Sequence, residues 1–216
     1  MKAFVGVTDL AWYAQLQAAS SDHDEVNFWF PSARQGFSAF STGEFFIFKT
    51  HVDRRQPDLS NRIVGVGIFS GYARLRVSEA WKWFGLGNGT GSLSELKSRI
   101  ERYRRSAFES FDDPEIGCVL LRNVSFFSPR DALRAPADFS PATQRGKLYD
   151  LDNLDTGHAI VEAITRYLDP GANVFDLEAR RLAQEKTRGE ARLIVQRVGQ
   201  SAFKALVADA YHHRCT

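Results

Sequence analysis

Short apolar runs separated by polar segments recur along residues 1–150 of the chain. Two of these runs, 45–48 and 63–69, are rich in aromatic and β-branched residues and are bounded by turn-forming residues, a pattern typical of buried strands. The polar connector between them favours an antiparallel hairpin. The same reasoning predicts strands at 3–7, 25–31 and 116–127, and a last short strand or ordered turn at 145–150.

Helical spacing of apolar residues marks other segments between and after these strands. Thr8 or Asp9 supplies the capping oxygen for a first helix, Gly85 ends a second, and Ser92 begins a third. Further amphipathic helices are expected near the C-terminus. In full, the predicted helices span residues 10–18, 79–84, 92–105, 157–168, 176–188 and 190–211.

The order of these elements, β-α-β-β-β-α-α-β-β followed by helices, predicts the α+β class. A curved mixed or antiparallel sheet with barrel character and flanking helices fits this order. The composition becomes more charged and amphipathic after residue 150. We therefore predict a sheet domain at 1–150 and a helical segment at 151–216.

The composition, with 44% hydrophobic and 25% charged residues, is that of a soluble globular protein. An aromatic core accounts most simply for the 17 phenylalanines. Cys118 and Cys215 lie far apart in sequence and indicate no disulfide framework, which favours a reducing, cytoplasmic location. The N-terminus lacks a signal-peptide pattern and no apolar run reaches membrane-spanning length, so no membrane partner is expected.

The net charge of +2 is unevenly distributed. Residues 54–105 contain 11 Lys or Arg and 4 acidic residues, a local charge of +7. A basic band of this kind can contact nucleic-acid phosphates. A solvated helix face accounts equally well for its last part, residues 99–105.

An aromatic cluster at 27–30 precedes the predicted hairpin, and the hairpin connector is cationic. An aromatic pocket beside a cationic arm suits a nucleic-acid reader better than a hydrolase. No Ser or Cys lies in a nucleophile elbow and no His pair has metal-ligand spacing, so no complete active site is expected within the chain. The glycine-rich segment 85–92 lacks a phosphate-loop signature, which argues against a nucleotide cradle.

The tail of the sequence resembles the helix that leads into the nuclease domain of bacterial HNH restriction endonucleases. The matching residues are Arg197, Gly199, Gln200, Phe203, Lys204, Tyr211, Arg214 and Cys215. The resemblance implies that the chain is inactive alone and that its parent protein is an HNH endonuclease. It implies no cofactor in this chain and a divalent metal in the nuclease domain that follows. An ordinary amphipathic helix is the alternative for this tail.

Residues 1–150 resemble the reader domains of modification-dependent restriction enzymes, in the PUA-like group that includes EVE, ASCH and SRA domains. The segments VGVTD, DEVNFWFP, GEFFIFKTH, IVGVGIFS, AWKWFGLGNG, DPEIGCVLL and RGKLYDL carry this resemblance. It implies a PUA-like fold that binds double-stranded DNA, flips out a modified cytosine such as 5-methylcytosine or 5-hydroxymethylcytosine, and stacks it on aromatic rings. Because double-strand cleavage needs two nuclease domains, it also implies a homodimer through the C-terminal helices.

The resemblance makes several residues candidates for contacts with DNA. The base-pocket candidates are Asn27, Trp29, Phe30, Trp81, Tyr149 and Asp150. The phosphate-binding candidates are Arg34, Lys49, His51, Arg54, Arg55, Arg62 and Lys147. Each has a plainer alternative: a core position for Trp29, a turn contact for Asn27, a helix cap for Asp150 and a solvated surface charge for each cation.

Two other functions fit the same residues. A PUA-like module that binds RNA would use a similar stacking pocket, and contacts to the 2′-hydroxyl would decide between the two polymers. A protein-interaction domain would have its aromatic residues only in the core and would dimerise through the C-terminal helices.

Overall fold

The computed structural model describes residues 1–20, 22–33, 37, 40–105, 112–151, 158–169 and 199–210. Its strands are β1 (Lys2–Thr8), β2 (Asp22–Phe30), β3 (Phe45–Thr50), β4 (Arg62–Arg76), β5 (Glu115–Phe126), β6 (Leu133–Arg134) and β7 (Gly146–Asp150). Its helices are α1 (Leu10–Ala19), α2 (Val77–Phe84), α3 (Leu93–Arg104), α4 (His158–Leu168) and α5 (Gln200–Ala210). The predicted helix 176–188 lies outside the described residues. Strand β6 was not predicted because two residues carry no periodicity.

The seven strands form one mixed sheet in the order β2-β5-β4-β3-β1-β7, and β6 pairs with the start of β4. β1 and β3 run parallel, whereas the other pairs are antiparallel and include the predicted hairpin of β3 and β4. Register shifts at Phe48 and within β4 mark irregularities of the bulge type, which bend strands and increase their twist. The α+β class with a mixed sheet and flanking helices is confirmed. In the part of the chain described, the sheet is open, with β2 and β7 at its two ends.

Alternate side chains of β3 point to opposite faces of the sheet, as the two-residue period of a strand requires. Phe46 and Phe48 pack with Trp12 of α1 on one face, and Ile47 packs on the other. The ring centroids of Phe46 and Phe48 lie 5.1 Å apart, which is within the range of favourable aromatic pairs. This first face buries Trp12, Tyr13, Phe28, Phe30, Phe40, Phe46, Phe48, Phe69 and Phe126 in one cluster. The expected aromatic core is therefore present.

Helices bury the remaining apolar surface of the sheet. Helix α4 packs Ile160 and Ile164 into the cluster that contains Ile47. Helices α2, α3 and α5 share a separate cluster with residues of β4 and β5. No described helix combines the length and apolarity that crossing a membrane requires.

Helix α5 is fixed to the sheet through Glu25 of β2. One carboxylate oxygen of Glu25 accepts a hydrogen bond from the Ser201 N–H at 3.0 Å, and the other accepts one from the Ala202 N–H at 2.7 Å. This carboxylate satisfies N–H groups that have no partner within the first turn of the helix. A Cβ at Gly199 would lie 2.3 Å from Cδ of Glu25, so a larger residue there would displace this carboxylate. In the predicted segment 151–216, both described helices thus pack against the sheet.

The outer face of α5 is partly apolar, since Phe203 is 61% exposed and Val207 is 38% exposed. These two residues are four apart and lie on one side of the helix. Dimerisation through the C-terminal helices stays a prediction.

We expect Glu25→Ala to lower the free energy of unfolding by about 0.5–2 kcal/mol, the usual cost of losing a helix cap. The substitution removes the acceptor for two N–H groups at the start of α5, so hydrogen exchange in residues 200–210 should accelerate more than in β4 or β5. Hydrogen exchange with mass spectrometry measures both regions. Glu25→Gln is the matched control, because its amide oxygen retains one acceptor. Unchanged exchange in residues 200–210 of the alanine variant would show that Glu25 does not hold α5.

Candidate functional site

A cleft of about 580 Å³ lies where the ends of β1, β2 and β3 meet α3 and the segment before β7. Its volume is within the roughly 300–1,000 Å³ of small-molecule sites in proteins. The parallel pairing of β1 and β3 brings the residues that follow both strands to one edge of the sheet. There the backbone N–H of His51 donates to the carbonyl of Thr8 at 3.2 Å, and that of Val7 to the carbonyl of Arg145 at 2.9 Å. These bonds hold together segments that are distant in sequence.

Aromatic rings line much of the cleft. They belong to Trp12, Phe28, Trp29, Phe30 and Tyr103. Trp29 is half-buried, and its ring centroid lies 6.0 Å from that of Tyr103 on α3. Phe28 and Phe30 form an edge-to-face pair at 5.5 Å. Trp12, Phe28 and Phe30 are buried and hold this wall rigid, so the half-buried Trp29 and the exposed Tyr103 offer most of the ring surface on which a flat ligand can stack.

The glycine-rich segment after α2 supports two of these rings. The indole N–H of Trp29 donates to the carbonyl of Asn88 at 3.0 Å. The Asn88 side chain is buried, and its amide donates to two backbone carbonyls at 3.0 and 2.9 Å, which fixes this segment. Gly89 has a φ of +69°, and a Cβ there would lie 2.2 Å from Cδ1 of Trp12. Glycine is required at that position by both its backbone conformation and the indole beside it.

Arginines surround the aromatic rings. Arg99 and Arg102 project from α3, Arg105 ends that helix, and Arg145 precedes β7. Cζ of Arg145 lies 4.1 Å from the ring centroid of Phe30, a cation–π contact. Burial lowers the pKa of Arg145, but a guanidinium remains charged at neutral pH. The cleft therefore combines aromatic surface with positive charge.

Asp9 is the one carboxylate among the described residues that line the cleft. Its Oδ1 accepts from the N–H groups of Ala11 at 2.7 Å and Trp12 at 3.1 Å, which caps α1, and its Oδ2 accepts from the Tyr103 hydroxyl. Burial favours a higher pKa for Asp9, but these hydrogen bonds and the charge of Arg99 outweigh it, so the pKa lies below its usual value. Burial and the Asp9 partner raise the pKa of Tyr103 to about 12. At neutral pH the pair is an ionised carboxylate and a protonated phenol.

No protein-family model and no curated protein sequence matches the chain. Among solved structures, ASCH from Zymomonas mobilis is similar with a TM-score of 0.42 and 11% identity, over 74% of this chain and 94% of that chain. A point mutant of the same protein is similar with a TM-score of 0.38 and 13% identity, over 68% and 89% of the two chains.

Two of the six base-pocket candidates, Trp29 and Phe30, line the cleft. Asn27 is fully buried instead. Its amide donates to Oδ1 of Asn88 at 2.9 Å and to Sγ of Cys118 at 3.3 Å. Asn27 therefore helps to hold the glycine-rich segment that supports Trp29, and its side chain is not exposed to a ligand.

The other three base-pocket candidates lie outside the cleft lining. Trp81 packs against the cluster of α2, α3 and α5. Tyr149 is 6% exposed, and its hydroxyl donates to Asp138 at 3.0 Å. Asp150 is exposed at the end of β7, opposite the start of β1. Pairing of β7 with β1 places these last two side chains away from Trp29, although both were expected beside it.

His51 is the one phosphate-binding candidate that lines the cleft among those described. Burial lowers its pKa although the charge of Asp9 opposes this, so at neutral pH its ring is mainly uncharged. Lys49 is only 2% exposed, because it lies on the same face of β3 as Ile47, the face that α4 covers. Its Nζ donates to the carbonyl of Thr50 at 3.1 Å, and burial lowers its pKa. A phosphate outside the protein cannot reach this amine without rearrangement of the sheet.

The remaining phosphate-binding candidates lie at several places. Arg54 and Arg55 are exposed in the loop before β4, and Arg62 is half-buried at the start of that strand. Lys147 is held in an ion pair of 2.5 Å with Asp138. Arg34 lies outside the described residues. Within the described ranges, no three His, Cys, Asp or Glu side chains gather as metal ligands.

Some cleft residues were not among the candidates named for the site. Arg99, Arg102 and Arg105 were predicted only as part of the basic band 54–105, for whose last part a solvated helix face was an equal alternative. Arg99, Arg102 and Tyr103 share one face of α3, and their spacing of three and four residues was the available signal. Asp9 was recognised only as a helix cap. Arg145 carried no signal, because its place beside Phe30 depends on the pairing of β7 with β1.

Proposed function

We propose that the chain is a nucleic-acid-binding module that takes one unpaired or everted nucleotide into the cleft. The observation that supports this most strongly is the presence of five aromatic rings and four arginines around a single cavity of about 580 Å³. Base–aromatic stacking contributes roughly 1–3 kcal/mol per base and tolerates any base. Guanidinium groups bind phosphate through paired N–H donors.

The charge of the cleft disfavours a purely apolar ligand. Such a ligand would take water from the guanidinium groups and from Asp9 without offering them hydrogen bonds, which costs free energy. A nucleotide offers a flat ring to the aromatic residues and phosphate oxygens to the arginines. It therefore satisfies both halves of the site.

We further propose that the polymer is double-stranded DNA carrying a modified cytosine. In this proposal the chain is the dimeric reader part of an HNH restriction endonuclease. The support is the resemblance of the segments and tail residues named above, of which Gly199 and Gln200 stand at the start of α5. Everting a base costs a few kcal/mol, which stacking on Trp29 would partly offset. Cleavage and its divalent metal would belong to a separate domain.

A gel-shift panel tests both levels of the proposal. Duplexes with unmodified cytosine, 5-methylcytosine, 5-hydroxymethylcytosine and glucosylated 5-hydroxymethylcytosine are compared with RNA of the same sequence. We expect salt-sensitive binding to all duplexes and tighter binding to one modified duplex. Preference for RNA would replace the DNA proposal with an RNA-binding module. Absence of binding to every nucleic acid would refute the general proposal.

A further inference from the structure

We infer that Asp9 makes the cleft selective for bases that carry an exocyclic amine at the outer end of the pairing edge. Cytosine and adenine have this amine, whereas uracil, thymine and hypoxanthine have a keto oxygen at the same position. The inference rests on the proposed function, because it requires a base in the cleft. The inference identifies Asp9 as the group by which the cleft distinguishes one base from another.

The Asp9 carboxylate has unused hydrogen-bonding capacity. An ionised carboxylate has about four lone-pair sites. Ala11, Trp12 and Tyr103 occupy three of them. Arg102 approaches Oδ2 of Asp9 only to 3.8 Å, beyond hydrogen-bond distance. One acceptor site of Asp9 is thus left for a ligand, as far as the described residues show.

Asp9 is also more deeply buried in the cleft than Arg102. The Asp9 side chain is 25% exposed, whereas that of Arg102 is 64% exposed. A flipped base enters a pocket with its pairing edge first, because its sugar and phosphates stay with the strand. A phosphate held by the outer arginine therefore directs the pairing edge towards the carboxylate. Arg99, which is 13% exposed, directs its N–H groups at Glu95 at 2.6 Å and at the carbonyl of Gly89 at 3.2 Å, so it does not occupy the remaining acceptor site of Asp9.

An exocyclic amine also matches the Asp9 carboxylate chemically. An exocyclic amine donates to the unused site of Asp9, as carboxylates accept from the N4 amine of cytosine in DNA complexes. A keto oxygen in that place would set two acceptors against each other and leave the carboxylate desolvated without a donor. Hydrogen bonds to charged groups are strong enough for discrimination of roughly 10- to 100-fold. The neighbouring Tyr103 hydroxyl stays protonated and keeps its donor directed at Asp9, so it does not supply that donor to the ligand's keto group.

The test uses a nucleic-acid hairpin with one unpaired nucleotide whose base is cytosine, uracil, adenine, hypoxanthine or absent. Wild-type protein should bind the amine-bearing member of each pair roughly 10- to 100-fold more tightly. Asp9→Asn keeps the α1 cap, because Asn and Asp are equivalent N-caps. Its amide N–H₂ replaces one acceptor by a donor, so the preference should shift towards uracil and hypoxanthine.

Asp150→Asn is the matched control, because it makes the same chemical change outside the cleft lining; its preference should equal that of wild type. Equal binding of cytosine and uracil, with both bound more tightly than the hairpin without a base, would overturn the role of Asp9 and leave the proposed function intact. An unshifted preference in Asp9→Asn would also overturn it. If no base improves binding over the hairpin that lacks one, the proposed function itself fails.

Discussion

Replacing Trp29 with alanine is expected to weaken binding of an oligonucleotide with one unpaired base by roughly 5- to 150-fold, the equivalent of about 1–3 kcal/mol of stacking. The indole is half-buried against Tyr103 and leaves part of its ring in the cleft. Alanine removes this surface but none of the arginines. Salt-sensitive background binding should therefore persist while the contribution of the unpaired base is lost. Fluorescence anisotropy with a labelled hairpin measures both quantities.

Two variants separate stacking from stability. Trp29→Phe loses the hydrogen bond to Asn88 but keeps an aromatic face, so it should retain most of the affinity that alanine loses. Trp81→Ala removes a half-buried tryptophan outside the cleft lining and should leave the affinity unchanged. Equal losses in the Trp29 and Trp81 alanine variants would indicate general destabilisation and contradict the assignment of Trp29 to the site.

The second large effect concerns salt. Binding of duplex DNA to a protein weakens with salt by a slope of roughly 0.9 per neutralised phosphate in a plot of log K against log salt concentration. Arg102 and Arg105 are both exposed beside the cleft. The double variant Arg102→Ala/Arg105→Ala should therefore lower the slope by roughly 1.8 and weaken binding to all sequences alike.

A matched double variant, Arg54→Ala/Arg55→Ala, removes two exposed arginines from the loop before β4. These residues are outside the cleft lining, so the change in slope should be smaller. Binding titrations at several salt concentrations measure both slopes. A larger effect of the loop pair would show that the phosphate contacts lie in the segment between β3 and β4, as predicted from the sequence.

Local patterns explain why much of the fold could be predicted. Apolar runs of β-branched and aromatic residues gave β3, β4 and β5, and the caps Asp9 and Ser92 located the starts of α1 and α3. The side-chain alternation of β3 also indicates that Lys49 is buried and is not a phosphate contact. Positions 45, 47 and 49 share a face of that strand, so Lys49 lies on the same buried face as Ile47.

The site was only partly predictable because non-local pairing assembles it. Trp29 and Phe30 were recognised as part of the aromatic cluster at 27–30, and the resemblance made them base-pocket candidates. Which cations stand beside them depends on the strand order, in which β1 lies between β3 and β7. That order brings Arg145 to Phe30 and separates Tyr149 from the cleft. No local pattern encodes the contact of Arg145 with Phe30 or the pairing of β7 with β1, since these partners are more than 100 residues apart in sequence.

The most direct test of the account is photo-crosslinking with 5-iodocytosine at the single unpaired position of a hairpin. Under ultraviolet light the C5–iodine bond of this base breaks and C5 forms a bond to a neighbouring aromatic ring with loss of HI, while the exocyclic amine is kept. We predict that mass spectrometry of the digested complex will place the crosslink on Trp29, Phe30 or Tyr103, and that Trp29→Ala will reduce its yield. A crosslink confined to Trp81, to the exposed Phe203 or to residues of the loop before β4 would show that the base does not enter the cleft.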